Sequence, residues 1–171
     1  MNYKDYITSI EGFPKEGITF RDITTFIGHG EAFRASIKEF SEFAKEKGAE
    51  VIVGPESRGF IFGAPVACEL GIGFVPVRKP GKLPREVVSC SYELEYGTNT
   101  IEIHKDAIQK GQKVVIVDDL LATGGTTEAA VKLIESLGGE VVGIAFLIEL
   151  ADEFDGRGKL KNYPVLSLIK Y

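Results

Sequence analysis

Residues 114 to 126, Val-Val-Ile-Val-Asp-Asp-Leu-Leu-Ala-Thr-Gly-Gly-Thr, restrict the fold of this chain more than any other stretch. The β-branched run Val114 to Val117 has no polar break, the pattern of a parallel strand buried on both faces. It ends in two adjacent carboxylates, Asp118 and Asp119, and a small-residue loop follows, Ala122-Thr123-Gly124-Gly125-Thr126-Thr127. A helical pattern then runs from Glu128 to Leu137. Open α/β sheets bind ligands at the carboxyl ends of their strands. A glycine-rich loop at a helix N-terminus offers unhindered N–H groups and hydroxyls to an anion. One segment thus joins hydroxyl acceptors for a sugar to a cradle for its phosphate, which suits a phosphorylated ribose.

A plain βα turn would use the same glycines for tight packing and the Asp and Thr as helix caps. The acidic pair argues against that, because two adjacent carboxylates after a buried strand repel each other and need partners. Other glycine loops fit poorly. The chain has no Gly-x-x-x-x-Gly-Lys-Ser/Thr, and no Gly-x-Gly-x-x-Gly follows a first strand.

At 171 residues the chain suits one domain, expected over 1–171, with room for a sizeable core. Its net charge of −5 argues against a nucleic-acid partner, since phosphate-backbone affinity needs a basic face. No run approaches the roughly 18 apolar residues of a membrane helix, and the opening Met-Asn-Tyr-Lys-Asp-Tyr lacks a signal peptide's apolar core. Cys68 and Cys90 have no metal-ligand spacing, which predicts reduced thiols in a cytoplasmic protein and no bound metal. Cys68 falls in a helical pattern and is predicted to be a small core residue.

Tyr3, Tyr6, Ile7 and Ile10 have helical spacing that ends at Gly12 and Pro14, and an irregular loop is expected over 14–22. A second helix is expected over 31–47, with Phe33, Ile37, Phe40 and Ala44 on one face. A parallel-sheet alternation follows: strand 50–54, helix 58–70, strand 73–77. Next come an extended pair, 86–95 and 100–104, the main strand 113–118, and helix 125–137. Strands 140–149 and 164–169 complete the pattern, with no repeat and no dividing linker.

Three further stretches carry chemistry. In Gly54-Pro55-Glu56-Ser57-Arg58-Gly59 the arginine opens a helix, where it either joins the helix N–H groups around a polyanion or pairs with Glu56. Arg78 to Arg85 packs four cations around two prolines in an acidic chain. That run is a solvated hairpin or, as its position after a strand favours, a lid over a pyrophosphate. In Ser91 to Gly97, Glu93 and Glu95 share a strand face, and either could move a proton or simply be exposed. Phe20 lies in a polar stretch and fits either a core or a base-stacking place, while His29 and His104 stand apart from any nucleophile.

Taken with Asp118-Asp119 and the Ala-Thr-Gly-Gly-Thr loop, these stretches resemble the type I phosphoribosyltransferases, which use 5-phosphoribosyl-1-pyrophosphate (PRPP). Phe20-Arg21-Asp22 with Tyr92 to Gly97 narrows the resemblance to the branch that uses adenine. It extends over Glu11–Ile23, Val53–Gly63, Val75–Pro84, Ser91–Gly97, Val114–Thr126 and Ile148–Leu160, with 151–157 the least distinctive.

The resemblance implies an α/β fold with a mostly parallel central sheet, a small hood (about 1–30 and 148–162) and a flexible lid loop (78–97). It implies transfer of phosphoribosyl from PRPP to adenine, giving AMP and pyrophosphate, with Mg²⁺ carried on PRPP. Asp118 and Asp119 would face the ribose, and Ala122, Thr123, Gly124, Gly125 and Thr126 the 5′-phosphate. Ser57, Arg58 and Lys82 would hold pyrophosphate, with Arg78 reaching it from the same chain or across a homodimer interface. Phe20 and Leu150 would sandwich adenine while the Arg21 backbone reads its edge, and Glu95 would manage the purine proton. Two rivals are a phosphoribosyltransferase for another purine and a PRPP-sensing regulator. A regulator would need a DNA-binding segment and a basic face, which this sequence does not offer.

Overall fold

The computed structural model describes residues 1–94 and 96–171. At its centre is a five-stranded parallel sheet of order β4-β3-β7-β8-β9. These strands are β3 (Val51–Pro55), β4 (Gly73–Val77), β7 (Lys113–Leu121), β8 (Glu140–Glu149) and β9 (Val165–Lys170). The continuous apolar runs of β3, β7 and β8 are explained by burial on both faces, whereas the edge strands β4 and β9 are only partly buried. Helices α2 (Gly30–Glu46) and α3 (Arg58–Leu70) cover one face against Ile52, Val115, Val117 and Leu147. Helix α4 (Gly125–Ser136) covers the other, against Val53, Val114, Ile116 and Phe146. Alternate residues of β7 thus feed two cores, as a strand's period of two requires.

Two helix boundaries have a plain local cause. The His29 ring accepts from Ala32 N at the start of α2, and Ala32, Ser36, Ile37, Phe40 and Ala44 turn inward at helical spacing. Gly71, at φ 66°, ends α3 in the left-handed conformation that glycine adopts without strain.

Two small sheets flank the main one. Strands β1 (Thr8–Glu11) and β2 (Thr19–Asp22) form an antiparallel hairpin, and β5 (Val87–Glu93) pairs with β6 (Thr98–His104) in another. The four-residue helix α1 (Thr24–Ile27) links β2 to α2.

The main correction lies at the opening. Tyr3–Tyr6 make one turn of 3-10 helix, and the expected helix is replaced by β1. Tyr3 and Ile7 do turn into the core, so their spacing was real. Ile10 instead pairs with Phe20 across the hairpin, which also orders part of the loop expected over 14–22. The expected end of the main strand at 118 is also too early, because β7 continues to Leu121 with both acids inside it. Cys68 is exposed on the outer side of α3, not a core residue.

Candidate active site

Strands β3 and β7 are neighbours, but the chain leaves β3 toward β4 and leaves β7 toward β8, on opposite sides. The gap between their outgoing loops is the switch point at which open α/β sheets bind ligands. Three adjoining cavities open there. A central one of about 260 Å³ is lined by Pro55–Arg58 and Asp118–Thr127, with Tyr92, Leu94 and Asn99. A second, about 440 Å³, shares Glu56, Tyr92, Asn99 and Thr126 with it and adds Arg78 to Pro80. A third, about 140 Å³, shares Arg58, Asp119 and Leu120 with the central one and adds Ile18 to Arg21, Ile23 and Leu150.

The acids form the floor of the central cavity. Asp118 and Asp119 are 9% and 5% exposed, and Asp119 N donates to Asp118 Oδ1 at 2.8 Å. Arg58 crosses the switch point to meet Asp119, Nε to Oδ2 at 2.8 Å. Burial, then the neighbouring Asp119 charge, pushes the Asp118 carboxyl well above its ordinary range, with the Arg58 charge opposing them. Gly59 permits this arrangement. A Cβ there would come 2.8 Å from Pro55 Cδ and 2.9 Å from Asp118 Oδ1, so only glycine lets the start of α3 lie this close to the acid.

The glycine loop behaves as an anion cradle should. Gly124 has φ 83° and precedes α4, whose first residues, Gly125 to Thr127, line the cavity. A Cβ on Gly124 would meet the Gly156 carbonyl at 2.8 Å, and one on Gly156 would clash with the Ala122 carbonyl. The 3-10 turn Gly156–Leu160 therefore clasps the loop, and the paired bonds from Arg157 to Glu149 (2.7 and 2.9 Å) fasten that turn to the end of β8. From the other side Tyr92 Oη bonds Thr126 Oγ1 at 2.7 Å.

The cationic segment converges on Glu56. Its carboxylate accepts from Lys79 N at 2.6 Å and Lys82 Nζ at 2.9 Å, with Arg78 Nε 3.5 Å away. This excludes the Arg58–Glu56 pair weighed from the sequence, since Arg58 goes to Asp119 instead. Burial pushes the Glu56 carboxyl up, but the bonds from Lys82 and Lys79 and the Lys82 and Arg78 charges outweigh it, and together lower it from 4.5 to about 2. The segment is also tied to its own hairpin: Gly81 N donates to Glu102 Oε1, and Arg85 meets His104 and Asp106.

A carboxyl depressed by folding adds stability that is present above its ordinary value and lost as pH falls toward the folded one. For Glu56 that window runs from about 4.5 down to about 2. The Arg157 bonds lower Glu149 in the same sense, ahead of the opposing effect of burial. Glu56→Gln should therefore flatten the acid side of the stability profile, its deficit against the parent shrinking as pH drops through this window. Melting temperatures of both proteins across that range check it; parallel curves would show that Glu56 is not held by its cations.

The sequence pattern of the phosphoribosyl transferase domain matches residues 27–168. An adenine phosphoribosyltransferase of Clostridium botulinum (strain Eklund 17B / Type B) is 63% identical over 171 residues, covering 100% of this chain and 99% of that protein. Among solved structures, the adenine phosphoribosyltransferase of Thermoanaerobacter pseudethanolicus superposes with a TM-score of 0.94 at 56% identity, covering 99% of this chain and 98% of that one. That of Saccharomyces cerevisiae, solved with adenine and an imino-altritol bisphosphate, gives 0.91 at 43% identity over 97% and 96%. The chain belongs to the adenine phosphoribosyltransferases.

In this adenine phosphoribosyltransferase the cleft brings together most of the residues singled out from the sequence. Ser57, Arg58, Asp118, Asp119 and residues 122–126 line the central cavity, Arg78 lines the second, and Phe20, Arg21 and Leu150 line the third. Lys82 reaches the cleft through Glu56. Glu95 lies outside the described residues. Several others at the cleft went unassigned from the sequence. Tyr92, Leu94 and Asn99 reach the cavity from the β5–β6 hairpin, and Lys159 Nζ would lie 3.9 Å from a Cβ on Gly125. Tyr92 and Asn99 are cross-strand partners, a pairing visible only once the hairpin register is known. Among the described residues no helix is long and apolar enough to cross a membrane, and no group of three or more His, Cys, Asp or Glu is placed to hold a metal ion.

Proposed function

We propose that PRPP lies across the three cavities with its pyrophosphate toward Ser57, Arg58, Arg78 and Lys82, its ribose on Asp118 and Asp119, and its 5′-phosphate on Ala122 to Thr126. Adenine occupies the third cavity between Phe20 and Leu150, its edge read by the Arg21 backbone. The observation that carries this reading is the shared wall, because Arg58, Asp119 and Leu120 border both the sugar cavity and the base cavity. A base in one and a ribose in the other would meet at C1. The C1–O bond to pyrophosphate breaks as the bond from adenine to C1 forms, so salvage of the free purine yields AMP and pyrophosphate.

Positive charge grows on the ribose during this step, and negative charge on the leaving group. The buried acids favour the first, and cations gathered around the second stabilise the transition state more than the ground state. Mg²⁺ arrives with PRPP as part of the substrate. The adenine proton is assigned to Glu95 on sequence resemblance alone. We extend the same resemblance to a homodimer in the cytoplasm, to a hood that includes β1 and β2, and to a lid over 78–97 that closes on pyrophosphate. Light scattering of the purified chain tests the dimer.

Phe20 tests the base cavity. Its ring meets the Phe13 ring edge-on at 5.2 Å and borders the cavity. Phe20→Ala should raise KM for adenine roughly 5- to 150-fold, since stacking is worth about 1–3 kcal/mol per base elsewhere, and leave KM for PRPP unchanged. A variant that only melts earlier, with unchanged kinetics, would make Phe20 a packing residue.

A further inference from the structure

The base cavity has two facing walls, Phe20 and Arg21 on β2 and Leu150 just beyond β8, and one residue outside the cavity bonds to the segment around Leu150 and meets Arg21. Tyr171 follows β9. Its N–H donates to the Glu149 carbonyl at 2.9 Å, and its own carbonyl accepts from Asp152 N at 2.9 Å, so its backbone brackets Leu150. Its ring meets β2, with the Arg21 guanidinium carbon 3.8 Å from the ring centroid. Lys4 Nζ approaches the same ring at 4.7 Å.

The Arg21 side chain has few other anchors. One terminal nitrogen donates to Ser9 Oγ on β1, while Nε is buried and has no hydrogen-bond partner among the described residues. A buried guanidinium nitrogen without a partner is costly, and the negative face of an aromatic ring is the compensation available here. The contact fixes Arg21, and with it the adjoining Phe20, relative to the segment that carries Leu150.

We propose that Tyr171 is a positioning residue for adenine, acting through Arg21 to hold the spacing of the cavity walls. The proposal rests on placing the base between Phe20 and Leu150. Tyr171 touches no substrate. It sets how well the empty gap matches a planar purine. Ring stacking acts on bound adenine before and during the reaction alike, so a loosened wall appears in KM for adenine and not in kcat.

Steady-state kinetics of Tyr171→Phe, Tyr171→Leu and Tyr171→Ala, beside Phe20→Ala, test it. Tyr171→Phe keeps the ring face and should match the parent. Tyr171→Leu keeps bulk without the aromatic face, and it and the alanine variant should raise KM for adenine about 3- to 30-fold, the range a partly desolvated cation–π contact supports. KM for PRPP and kcat should hold. If the alanine variant fails to fold, the leucine and phenylalanine variants decide. Unchanged KM for adenine in Tyr171→Leu, a parallel rise in both KM values, or equal loss in Tyr171→Phe would each overturn the proposal. Phe20→Ala separates the two levels: without effect on adenine, the base cavity itself is misassigned, whereas an effect there and none at Tyr171 removes only the clamp.

Discussion

Replacing both acids, Asp118→Asn with Asp119→Asn, should abolish most PRPP binding and lower kcat/KM by at least about 100-fold, since each charge-assisted hydrogen bond to a ribose hydroxyl is worth roughly 1.5–3 kcal/mol. Thermal stability should hold or rise. Asp118 is buried beside a like charge, and its carboxyl is raised well above the ordinary value of 3.8. Between that ordinary value and the raised one, the folded chain binds more protons than the unfolded chain. Stability therefore falls as pH rises through the window, so above the ordinary carboxyl value the burial of Asp118 beside a second acid opposes folding. Asparagine at both positions removes that opposition. Arg58 loses its partner, but its side chain is 47% exposed and water can take over. Calorimetric titration with PRPP beside a melting curve checks both halves. Normal PRPP affinity in the double variant would remove the ribose assignment.

Lys82→Ala should give the second large loss. Lys82 is bonded to Glu56 at the mouth of the central cavity, so its charge is stored next to where the proposed pyrophosphate lies. Removing one preorganised donor from a developing charge typically costs about 100- to 1,000-fold in kcat. The loss should appear with saturating adenine and leave KM for adenine unchanged, because the third cavity does not include Lys82. Hydrogen exchange adds an independent test. The segment 78–85 buries little apolar surface, and beyond its bonds to Glu56 and Glu102 it is held by exposed ion pairs, such as Arg85 with Asp106, which contribute little alone. Binding of PRPP or pyrophosphate should slow exchange across it as the cations find a stronger counter-charge. Equal, strong protection with and without ligand would make it a static hairpin.

Much of the fold and cleft was legible because local chemistry and global placement agree. Strand β7 reads as buried from its β-branched run, and the loop before α4 follows from its glycines. What stayed hidden depends on partners distant in sequence. The β1–β2 hairpin competes with an equally good helical spacing, and only its pairing across Gly12 and Gly17 decides for strand. Arg58 had two acids within reach, and its choice of Asp119 is set by the sheet order that puts β3 beside β7. Glu56 reads in sequence as one acid near an arginine, whereas folding makes it the collecting point of Lys79, Lys82 and Arg78. Tyr171 and Lys159 carry no motif, and their placement by the cavities follows from the register of β9 and the turn before it.

In the proposed reading, one cleft at the divergence of β3 and β7 joins a PRPP site to a cavity that takes adenine. Turnover with PRPP and Mg²⁺, measured in parallel for adenine, hypoxanthine, guanine and xanthine with products identified by chromatography, tests it most directly. The expected result is AMP and pyrophosphate in equal amounts from adenine, with the three oxopurines left essentially unused. Equal or faster turnover of hypoxanthine, guanine or xanthine, or no AMP from adenine and PRPP, would contradict it.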